Sequence, residues 1–385
     1  MSIETTVTHA WQRQAAWLWL LLPISWLYAL ITMTRRQAYK AGLLSSYRAP
    51  VPVMVIGNIS VGGSGKTPLI IALVKHLQEQ GIKVGVISRG YGGDTSQMPA
   101  LVNATSLPNV VGDEPCLIVN MTGAAMAVCP SREQAITTLL KAHPDLQLII
   151  ADDGLQHYAL QRDIEWIVVD AARGFGNKQL LPTGFLREPM SRLEGANVIY
   201  HESLEAVSTR DHNEDGHLHP ANRLTMHLKA DNMQRLWQPE RSFDSRINNE
   251  VPEKGSKIHA VSGIGYPQRF FNTLESLGFT VIEHPYPDHH DFSLAEFLPY
   301  SDYPIVVTSK DAVKIRALLV KHTTEQALTD EYKALVDRLW VLPVTAVLSE
   351  NCYPHLEQQL NHLGIVTKNY KAKNHKDKQD IKKNG

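Results

Sequence analysis

A glycine-rich segment that ends in a lysine and a threonine implies chemistry most directly. It follows a short β-branched apolar run and precedes a helical pattern, the context of a phosphate-binding loop. Its backbone amides can bind phosphate oxygens, the lysine can reach the β- and γ-phosphates, and the threonine hydroxyl can bind Mg²⁺. The alternative is a glycine-rich turn without function. We predict a nucleoside triphosphate site at Ser60, Val61, Gly62, Gly63, Ser64, Gly65, Lys66 and Thr67.

The start of this loop departs from the usual pattern. The consensus begins with a glycine, and this chain has Ser60 at that position. The first turn of the loop must therefore be built in another way.

Two carboxylates follow an apolar run at 146–151, namely Asp152 and Asp153. A buried central strand that ends in a carboxylate can deliver it to the Mg²⁺ held by a phosphate loop. A plain strand-end turn is the alternative, because Asp-Gly is a common turn pair. Beside a phosphate loop, the metal interpretation is the stronger one.

Further charged residues lie in loops. Asp113 and Glu114 stand in a predicted tight turn, Gly112–Pro115, where one carboxylate could take the proton of an acceptor hydroxyl. Arg187 follows a glycine-containing loop and could bind a phosphate. A solvated turn and a surface ion pair are the respective alternatives.

Four ionisable groups are adjacent at 288–291, in the order Asp, His, His, Asp. A metal site is conceivable, but neighbouring histidines point in different directions and no further ligand spacing supports it. A histidine that acts on a carboxylate across a cleft between domains is the favoured interpretation. The candidate is His289.

The secondary structure around these residues is predicted to form an α/β fold. Apolar strand-like runs alternate with helical patterns from Pro52 to about Tyr200, which indicates a mainly parallel sheet with helices on both faces, as in phosphate-loop kinases. A second, smaller α/β unit follows. We predict an N-terminal helix with a basic flank at 1–48, a nucleotide-binding domain at 49–205, a linker or short-strand region at 206–256, the smaller domain at 257–367 and a disordered lysine-rich tail at 368–385.

The N-terminal segment is apolar and uncharged. Residues 15–33 would form a helix about 28 Å long, close to the hydrocarbon thickness of a bilayer. Four tryptophans near the N-terminus, Trp11, Trp17, Trp19 and Trp26, suit a membrane interface, and Pro23 interrupts the apolar segment. The sequence is compatible with a helix that spans the bilayer and with a kinked helix that lies in one leaflet; a buried core helix is the third alternative. The cluster Arg35, Arg36 and Lys40 predicts that the rest of the chain is cytoplasmic.

The composition limits the partners. The formal net charge of the 385 residues is −1, so the chain has no overall positive charge that would indicate a nucleic-acid partner. The three cysteines are scattered, with neither metal spacing nor a disulfide framework, which fits a reducing compartment.

A series of short motifs resembles one family, the tetraacyldisaccharide 4′-kinases of Gram-negative bacteria, over most of residues 15–350. The motifs lie at 57–58, 61–68, 88–92, 112–115, 152–157, 175–177, 180–182, 186–188, 263–265, 269–271, 288–290 and 310–314. The resemblance does not extend to the tail, and Ser309 stands where the family usually has glutamate.

The resemblance implies a membrane-associated enzyme that uses ATP and Mg²⁺. It would transfer the γ-phosphate to the 4′-hydroxyl of a tetraacyldisaccharide 1-phosphate, a lipid A precursor, and give lipid IVA at the cytoplasmic face of the bacterial inner membrane. It implies Asp113 as general base with His289 as its partner. The other implied roles are metal binding by Thr67, Asp152 and Glu114, charge balance by Asp153, and phosphate binding by Lys66 and Arg187.

Two other classes share part of this pattern. A membrane-associated phosphate-loop NTPase switch or partition protein would have the loop and the anchor but no need for an acceptor-side base. A soluble small-metabolite kinase would have the chemistry but no reason for the apolar N-terminus.

Overall fold

Fourteen strands form two sheets in the part of the chain that the structure, a computed structural model, describes: residues 7, 10–11, 13–203, 223–237, 251–325 and 327–368. The strands are β1 (Val53–Gly57), β2 (Val84–Ser88), β3 (Ala100–Val102), β4 (Ala125–Val128), β5 (Leu148–Asp152), β6 (Ile164–Asp170), β7 (Asn197–Glu202), β8 (Leu224–Ala230), β9 (Gln234–Arg235), β10 (Lys257–Ser262), β11 (Thr280–Pro285), β12 (Ile305–Thr308), β13 (Leu339–Leu342) and β14 (Val344–Leu348).

The helices lie on the faces and at the ends of these sheets. In chain order they are α1 (Leu22–Lys40), α2 (Lys66–Glu79), α3 (Pro108–Val111), α4 (Asp113–Thr122), α5 (Arg132–Ala142), α6 (Gln268–Ser276), α7 (Ser309–Glu325), α8 (Asp330–Val336) and α9 (Cys352–His362). Short 3₁₀ turns occur at Ala16–Leu21, Thr95–Gln97, Met190–Leu193 and Leu294–Phe297.

The larger sheet has the strand order β14-β8-β7-β6-β1-β5-β2-β4-β3. All neighbours are parallel except the edge pairs β3–β4 and β14–β8. β1, β2 and β5 are buried along their whole length, since helices cover both faces. The carboxyl ends of the central strands β1 and β5 therefore carry the phosphate loop and Asp152 side by side.

The smaller sheet has the order β11-β10-β12-β13-β9 and is parallel except for β9. Its core contains Phe271, Phe297 and Ile315, all nearly inaccessible to solvent. The mainly parallel α/β architecture, with a second α/β unit, is confirmed.

The chain passes between the sheets more than once. β8 belongs to the larger sheet and β9 to the smaller, so the region predicted as a linker or short strands contains strands in its described part. β14 then returns to pair with β8, and α9 buries Cys352, Leu356 and Leu360 in the core of the larger sheet. The domain bounds themselves stay a prediction, and the predicted disordered tail lies, apart from Lys368, outside the described residues.

Two local predictions are wrong. The predicted tight turn at Gly112–Pro115 is instead the start of α4, with Gly112 as its N-cap at φ 97°. The negative side chains of Asp113 and Glu114 suit this first helical turn, because the helix dipole is positive there. The sequence pattern also predicts a helix at Leu294–Leu298, but Leu294–Phe297 forms only a 3₁₀ turn, closed by a capping box between Ser293 and Glu296.

The N-terminal segment is a 3₁₀ turn that continues directly into α1, with Pro23 in the first turn of the α-helix, where proline is tolerated. Most of the apolar side chains of α1 are exposed; Trp26, for example, is 65% exposed. Ala16–Lys40 is long and apolar enough to cross a membrane, and only 11% of its most apolar window is buried.

Candidate active site

The phosphate loop lies between β1 and α2. Gly62 and Gly65 have φ angles of 96° and 89°, which side chains rarely adopt, so glycine is required at both positions. Lys66 begins α2, and its Nζ lies 3.1 Å from Asn58 Oδ1 and 3.3 Å from Asp153 Oδ1. The predicted Lys66 and Asp153 are thus in contact, and Asn58 is a site residue that the sequence analysis did not assign.

Backbone pairing explains how the loop starts without its usual glycine. The N–H of Val61 donates to the carbonyl of Phe185 at 2.8 Å, and the N–H of Arg187 donates to the carbonyl of Ile59 at 2.6 Å. Ser60 forms a bridge with Leu186 in the same segment. The loop is therefore held by the segment that carries Arg187.

A buried histidine contacts the backbone of the phosphate loop. His201 Nδ1 lies 3.1 Å from the carbonyl oxygen of Ser64, and a Cβ on Gly65 would lie 2.7 Å from the same nitrogen. Burial, followed by the charge of Arg269, lowers the pKa of His201 to about 4. The ring is neutral at pH 7. Its Nδ1 also lies 3.2 Å from Nη1 of Arg269, which can only donate, so the histidine packs against the loop together with this arginine. Sequence reasoning missed His201, since a lone histidine at a strand end carries no pattern.

Asp152 and Asp153 are adjacent but differ in environment. Asp152 ends β5 and is fully buried, and burial together with Glu114 raises its pKa to about 7. Burial also raises the pKa of Asp153, but the charges of Lys66 and Arg187 outweigh it and lower the pKa to about 2. The Nη1 of Arg187 lies 3.1 Å from Asp153 Oδ2.

Arg132 is a third residue that the sequence analysis missed. It begins α5 and is buried, and its guanidinium donates to the carbonyl oxygens of Asp152 at 3.0 Å and Cys129 at 3.3 Å. The strand end that carries both carboxylates is therefore fixed by a buried cation. A single arginine after Cys-Pro-Ser gives no sequence signal of this contact.

Asp113 and His289 come together across the cleft between the two units. Asp113 begins α4 in the larger unit and is 3% exposed, whereas His289 follows β11 in the smaller unit at φ 59°. His289 Nδ1 lies 3.2 Å from Asp113 Oδ2. The Tyr91 ring packs against the imidazole with centroids 4.8 Å apart. Residues 176 positions apart in sequence thus form one hydrogen-bonded pair.

Two lysines on α7 surround this pair. Lys314 Nζ lies 3.4 Å from Asp113 Oδ2, and Lys310 Nζ lies 3.2 Å from Glu114 Oε1. Burial raises the pKa of Asp113, but the hydrogen bond to His289 and the charges of both lysines outweigh it, and the pKa falls to about 2. The sequence analysis found these lysines within a family motif but assigned them no role; their i, i+4 spacing at a helix start was the available signal.

The smaller unit also approaches the phosphate loop directly. A Cβ on Gly265 would lie 3.4 Å from the backbone nitrogen of Gly63 and 3.0 Å from Asp288 Oδ2. The turn after β10 therefore lies between the phosphate loop and the segment of His289. His290 points elsewhere, with its Nε2 3.0 Å from Glu296 Oε1, so the two adjacent histidines have different partners.

The arrangement fits a nucleoside triphosphate with Mg²⁺. Asp152 Oδ1 and Ser64 Oγ are buried and have no hydrogen-bond partner among the described residues. Such atoms carry a desolvation cost unless a ligand satisfies them. No group of three histidine, cysteine or acidic residues that could hold a metal by itself occurs in the described part of the chain. Mg²⁺ commonly binds one or two protein groups together with phosphates and water, so this donor set suits it.

This chain is similar to known proteins over nearly its whole length. Residues 17–362 match the family described as LpxK: Tetraacyldisaccharide-1-P 4'-kinase. A tetraacyldisaccharide 4'-kinase of Psychrobacter arcticus is 72% identical over 95% of this chain and 97% of its own, and one of Actinobacillus pleuropneumoniae is 41% identical over 92% and 99%.

A solved structure gives the same result for the fold. The crystal structure titled "apo" form LpxK from Aquifex aeolicus in complex with ATP superposes with a TM-score of 0.64 at 24% identity, over 90% of this chain and 98% of that one. With the family match and the high identity of its relatives, this chain belongs to the tetraacyldisaccharide 4'-kinase family and is a kinase.

Proposed function

We propose that this kinase transfers the γ-phosphate of ATP to the 4′-hydroxyl of a tetraacyldisaccharide 1-phosphate, a lipid A precursor, and so forms lipid IVA. The observation that carries the proposal is the hydrogen-bonded pair Asp113–His289, which the two units form together beside the phosphate loop. A hydrolytic NTPase switch needs no such acceptor-side pair. The family membership supports the substrate class.

The phosphate loop binds the donor in this proposal. The backbone amides of 60–65 and the N-terminus of α2 face the phosphates, and Lys66 supplies a positive charge to the β- and γ-phosphates. In the structure this charge is balanced by Asp153, which Arg187 also contacts. We infer that Arg187 and Lys66 turn towards the phosphates when the nucleotide binds, since phosphate competes with the Asp153 carboxylate for both cations.

Thr67 and Asp152 are the residues that would hold Mg²⁺. Bound Mg²⁺ would neutralise charge on the β- and γ-phosphates and orient them. Glu114 was the third predicted ligand; its Oε1 lies 3.2 Å from Lys310 Nζ. Glu114 would have to break its contact with this lysine to reach the metal. We therefore assign Thr67 and Asp152, and not Glu114, as the protein ligands of Mg²⁺.

The pair Asp113–His289 would act on the acceptor. The 4′-hydroxyl loses its proton to the pair as its oxygen forms a bond to the γ-phosphorus, and the bond from that phosphorus to the β-phosphate bridging oxygen breaks to release ADP. Asp113 is buried and has a low pKa, so it is a weak base, while 25% of the His289 side chain is exposed. We propose that His289 receives the proton and that Asp113 orients the ring and stabilises its positive charge.

Helix α1 would keep the enzyme at the membrane where the acyl chains of the acceptor reside. The helix is docked on the body of the protein at several points. Ser25 Oγ lies 2.9 Å from Thr183 Oγ1, Tyr28 Oη donates to the carbonyl of Arg187 at 3.0 Å, and the Tyr39 and Tyr158 rings are 6.3 Å apart. Because it is held along its length, we propose that α1 lies in the membrane interface and does not span the bilayer.

The charges next to α1 support the cytoplasmic face of the inner membrane. Arg35, Arg36 and Lys40 lie at the carboxyl end of the helix, and such residues favour the cytoplasmic side and anionic lipid headgroups.

A triple variant tests the attachment. Serine at Trp26, Leu27 and Leu30, which are each more than half exposed, removes the apolar face but leaves the docking residues of α1 in place. We expect the protein to move from the membrane fraction to the soluble one and to lose activity on vesicles. Val320→Ser, on exposed α7 surface, is the control. Unchanged sedimentation of the triple variant with vesicles would show that α1 is not the anchor.

One assay tests the reaction itself. The protein is incubated with γ-labelled ATP, Mg²⁺ and a tetraacyldisaccharide 1-phosphate in mixed micelles, and the lipid is separated by chromatography. We expect label in the lipid at the 4′-position and little ATP hydrolysis without lipid. Lipid-independent hydrolysis with no labelled lipid would favour the NTPase switch instead.

A further inference from the structure

Lys310, a lysine of the smaller unit, reaches into the cleft, and the proposed phosphate transfer assigns it no role. Lys310 lies in the first turn of α7, and its side chain is 15% exposed. Its Nζ lies 3.2 Å from Glu114 Oε1, 3.3 Å from His289 Nε2 and 3.4 Å from Asp288 Oδ1. It therefore contacts groups of both units at the point where the Asp113–His289 pair forms.

The number of protons on these atoms fixes the state of the imidazole. A lysine ammonium has three donors and no acceptor, so His289 Nε2 must accept from Lys310. The ring proton then resides on Nδ1, which donates to Asp113 Oδ2 at 3.2 Å. In a doubly protonated ring, the Nε2–H would point at the Lys310 ammonium, which cannot accept it. The opposite tautomer, protonated on Nε2 only, would have the same conflict and would also turn the lone pair of Nδ1 towards the Asp113 carboxylate.

The other groups around the ring do not supply this constraint. Lys314 contacts Asp113 at 3.4 Å and the carbonyl of His290 at 3.0 Å. Asp288 Oδ1 lies 3.9 Å from Nε2 and attracts a proton to it, the opposite of what Lys310 does. The Tyr91 ring packs on the imidazole. Lys310 alone among these donates to Nε2.

Lys310 is itself held in place by the start of α7. Asp311, the next residue, is fully buried; its Oδ2 accepts from Thr308 Oγ1 at 2.6 Å and from the backbone N–H of Gly263 at 3.1 Å. These bonds tie the beginning of α7 to the turn after β10, which faces the phosphate loop. The lysine is thus delivered to the cleft from a fixed helix end.

We propose that Lys310 is a positioning residue that keeps His289 in the neutral tautomer with an unprotonated Nε2, ready to accept the proton of the acceptor hydroxyl. The hydroxyl takes the place of the lysine at Nε2 when the acceptor binds. The inference rests on the proposed function for the identity of that hydroxyl, but the state of the ring stands on the geometry of the cleft alone.

The direct test is ¹⁵N NMR of the full-length protein labelled at histidine, with the His289 signals assigned from the His289→Gln variant. At pH 7 we expect the Nδ1-protonated tautomer in the unmodified protein. Lys310→Met should lose it in favour of the Nε2-protonated or doubly protonated ring, and Lys310→Arg should retain it. Lys321→Met, at an exposed lysine of the same helix, is the control and should change nothing.

Kinetics give the second readout. In Lys310→Met we expect kcat to fall about 30-fold, a part of the ~10²–10⁴ that acid–base groups supply, with the KM for ATP unchanged, and we expect Lys310→Arg to recover most of the loss. A ring protonated on Nε2 in the unmodified protein, or unaltered ring signals in a folded Lys310→Met, would overturn the proposal. If the lipid is not phosphorylated at all, the proposed function fails while the NMR result still decides the role of Lys310.

Discussion

The pairing of Asp113 with His289 makes a quantitative prediction that two single variants and one double variant can test. If the two residues form one unit, removing either should remove nearly all that the unit contributes, and removing the second should cost little more. We choose Asp113→Asn and His289→Gln, which keep the approximate shape of each side chain.

The structure sets the size of the expected effects. The pKa of Asp113 lies at about 2 instead of 3.8, so its surroundings favour the carboxylate by about 2 kcal/mol net of burial. Loss of an acid–base unit costs ~10²–10⁴ in rate, and we take about 10³ for each single variant. Independent residues would then give a double variant about 10⁶-fold slower, whereas a single unit gives about 10³. The difference corresponds to about 4 kcal/mol of coupling.

The assay is kcat and KM for ATP and lipid acceptor, measured for the three variants under one set of conditions. His290→Gln is the matched control, because the side chain of His290 has the same 25% exposure and bonds to Glu296 instead of Asp113. We expect that control to keep near-normal kcat. Thermal unfolding of each variant separates loss of rate from loss of fold.

Two outcomes would refute the reasoning. Rate losses that multiply in the double variant would show that the residues act independently. An Asp113→Asn variant with normal kcat and a raised KM for ATP would place Asp113 on the nucleotide or its metal, away from the acceptor.

Two further predictions concern the nucleotide side. Lys66→Ala should lower kcat about 10³-fold or more because the charge on the transferred phosphate is lost, whereas Lys75→Ala on the same helix should not; near-normal turnover of the first would exclude this loop as the active site. Asp152→Asn should abolish Mg²⁺-dependent turnover and yet stabilise the ligand-free protein. The pKa of the buried Asp152 is raised to about 7, so the folded protein loses stability as the pH rises from about 4 to about 7 and this carboxyl must ionise. Asparagine cannot ionise. The Tm of the variant should therefore equal that of the unmodified protein at pH 4 and exceed it most above pH 7. Equal Tm values at pH 8 would contradict the raised pKa.

Local sequence determined the strands and the phosphate loop well. β2, β4, β12 and β13 coincide with short apolar runs of the sequence, because a strand covered on both faces must be mainly apolar. The loop required only a strand, glycines, a lysine and a helix in immediate succession. The chemistry of 60–67 is therefore readable without the tertiary structure.

The sequence pattern failed where a short segment depends on its neighbours. Residues 112–115 contain glycine and proline and predict a turn, but Gly112 caps a helix and proline fits its first turn. The strand β14 is not predicted by any local feature to join the larger sheet. It does so because β8, which lies far away in sequence, leaves an edge for it to pair with.

The amino-acid pattern alone identifies the groups that this protein has for chemistry: a phosphate loop, a strand-end carboxylate, an acidic pair, a histidine and an apolar basic N-terminus. How these groups are combined follows from the fold. It placed Asp113 against Nδ1 of His289, Lys310 against Nε2 of the same ring, His201 against the phosphate loop and α1 along the segment of Arg187. The physical reason is that composition and local periodicity encode what each segment can bury, whereas the partners of a polar side chain depend on which distant segments that burial brings together.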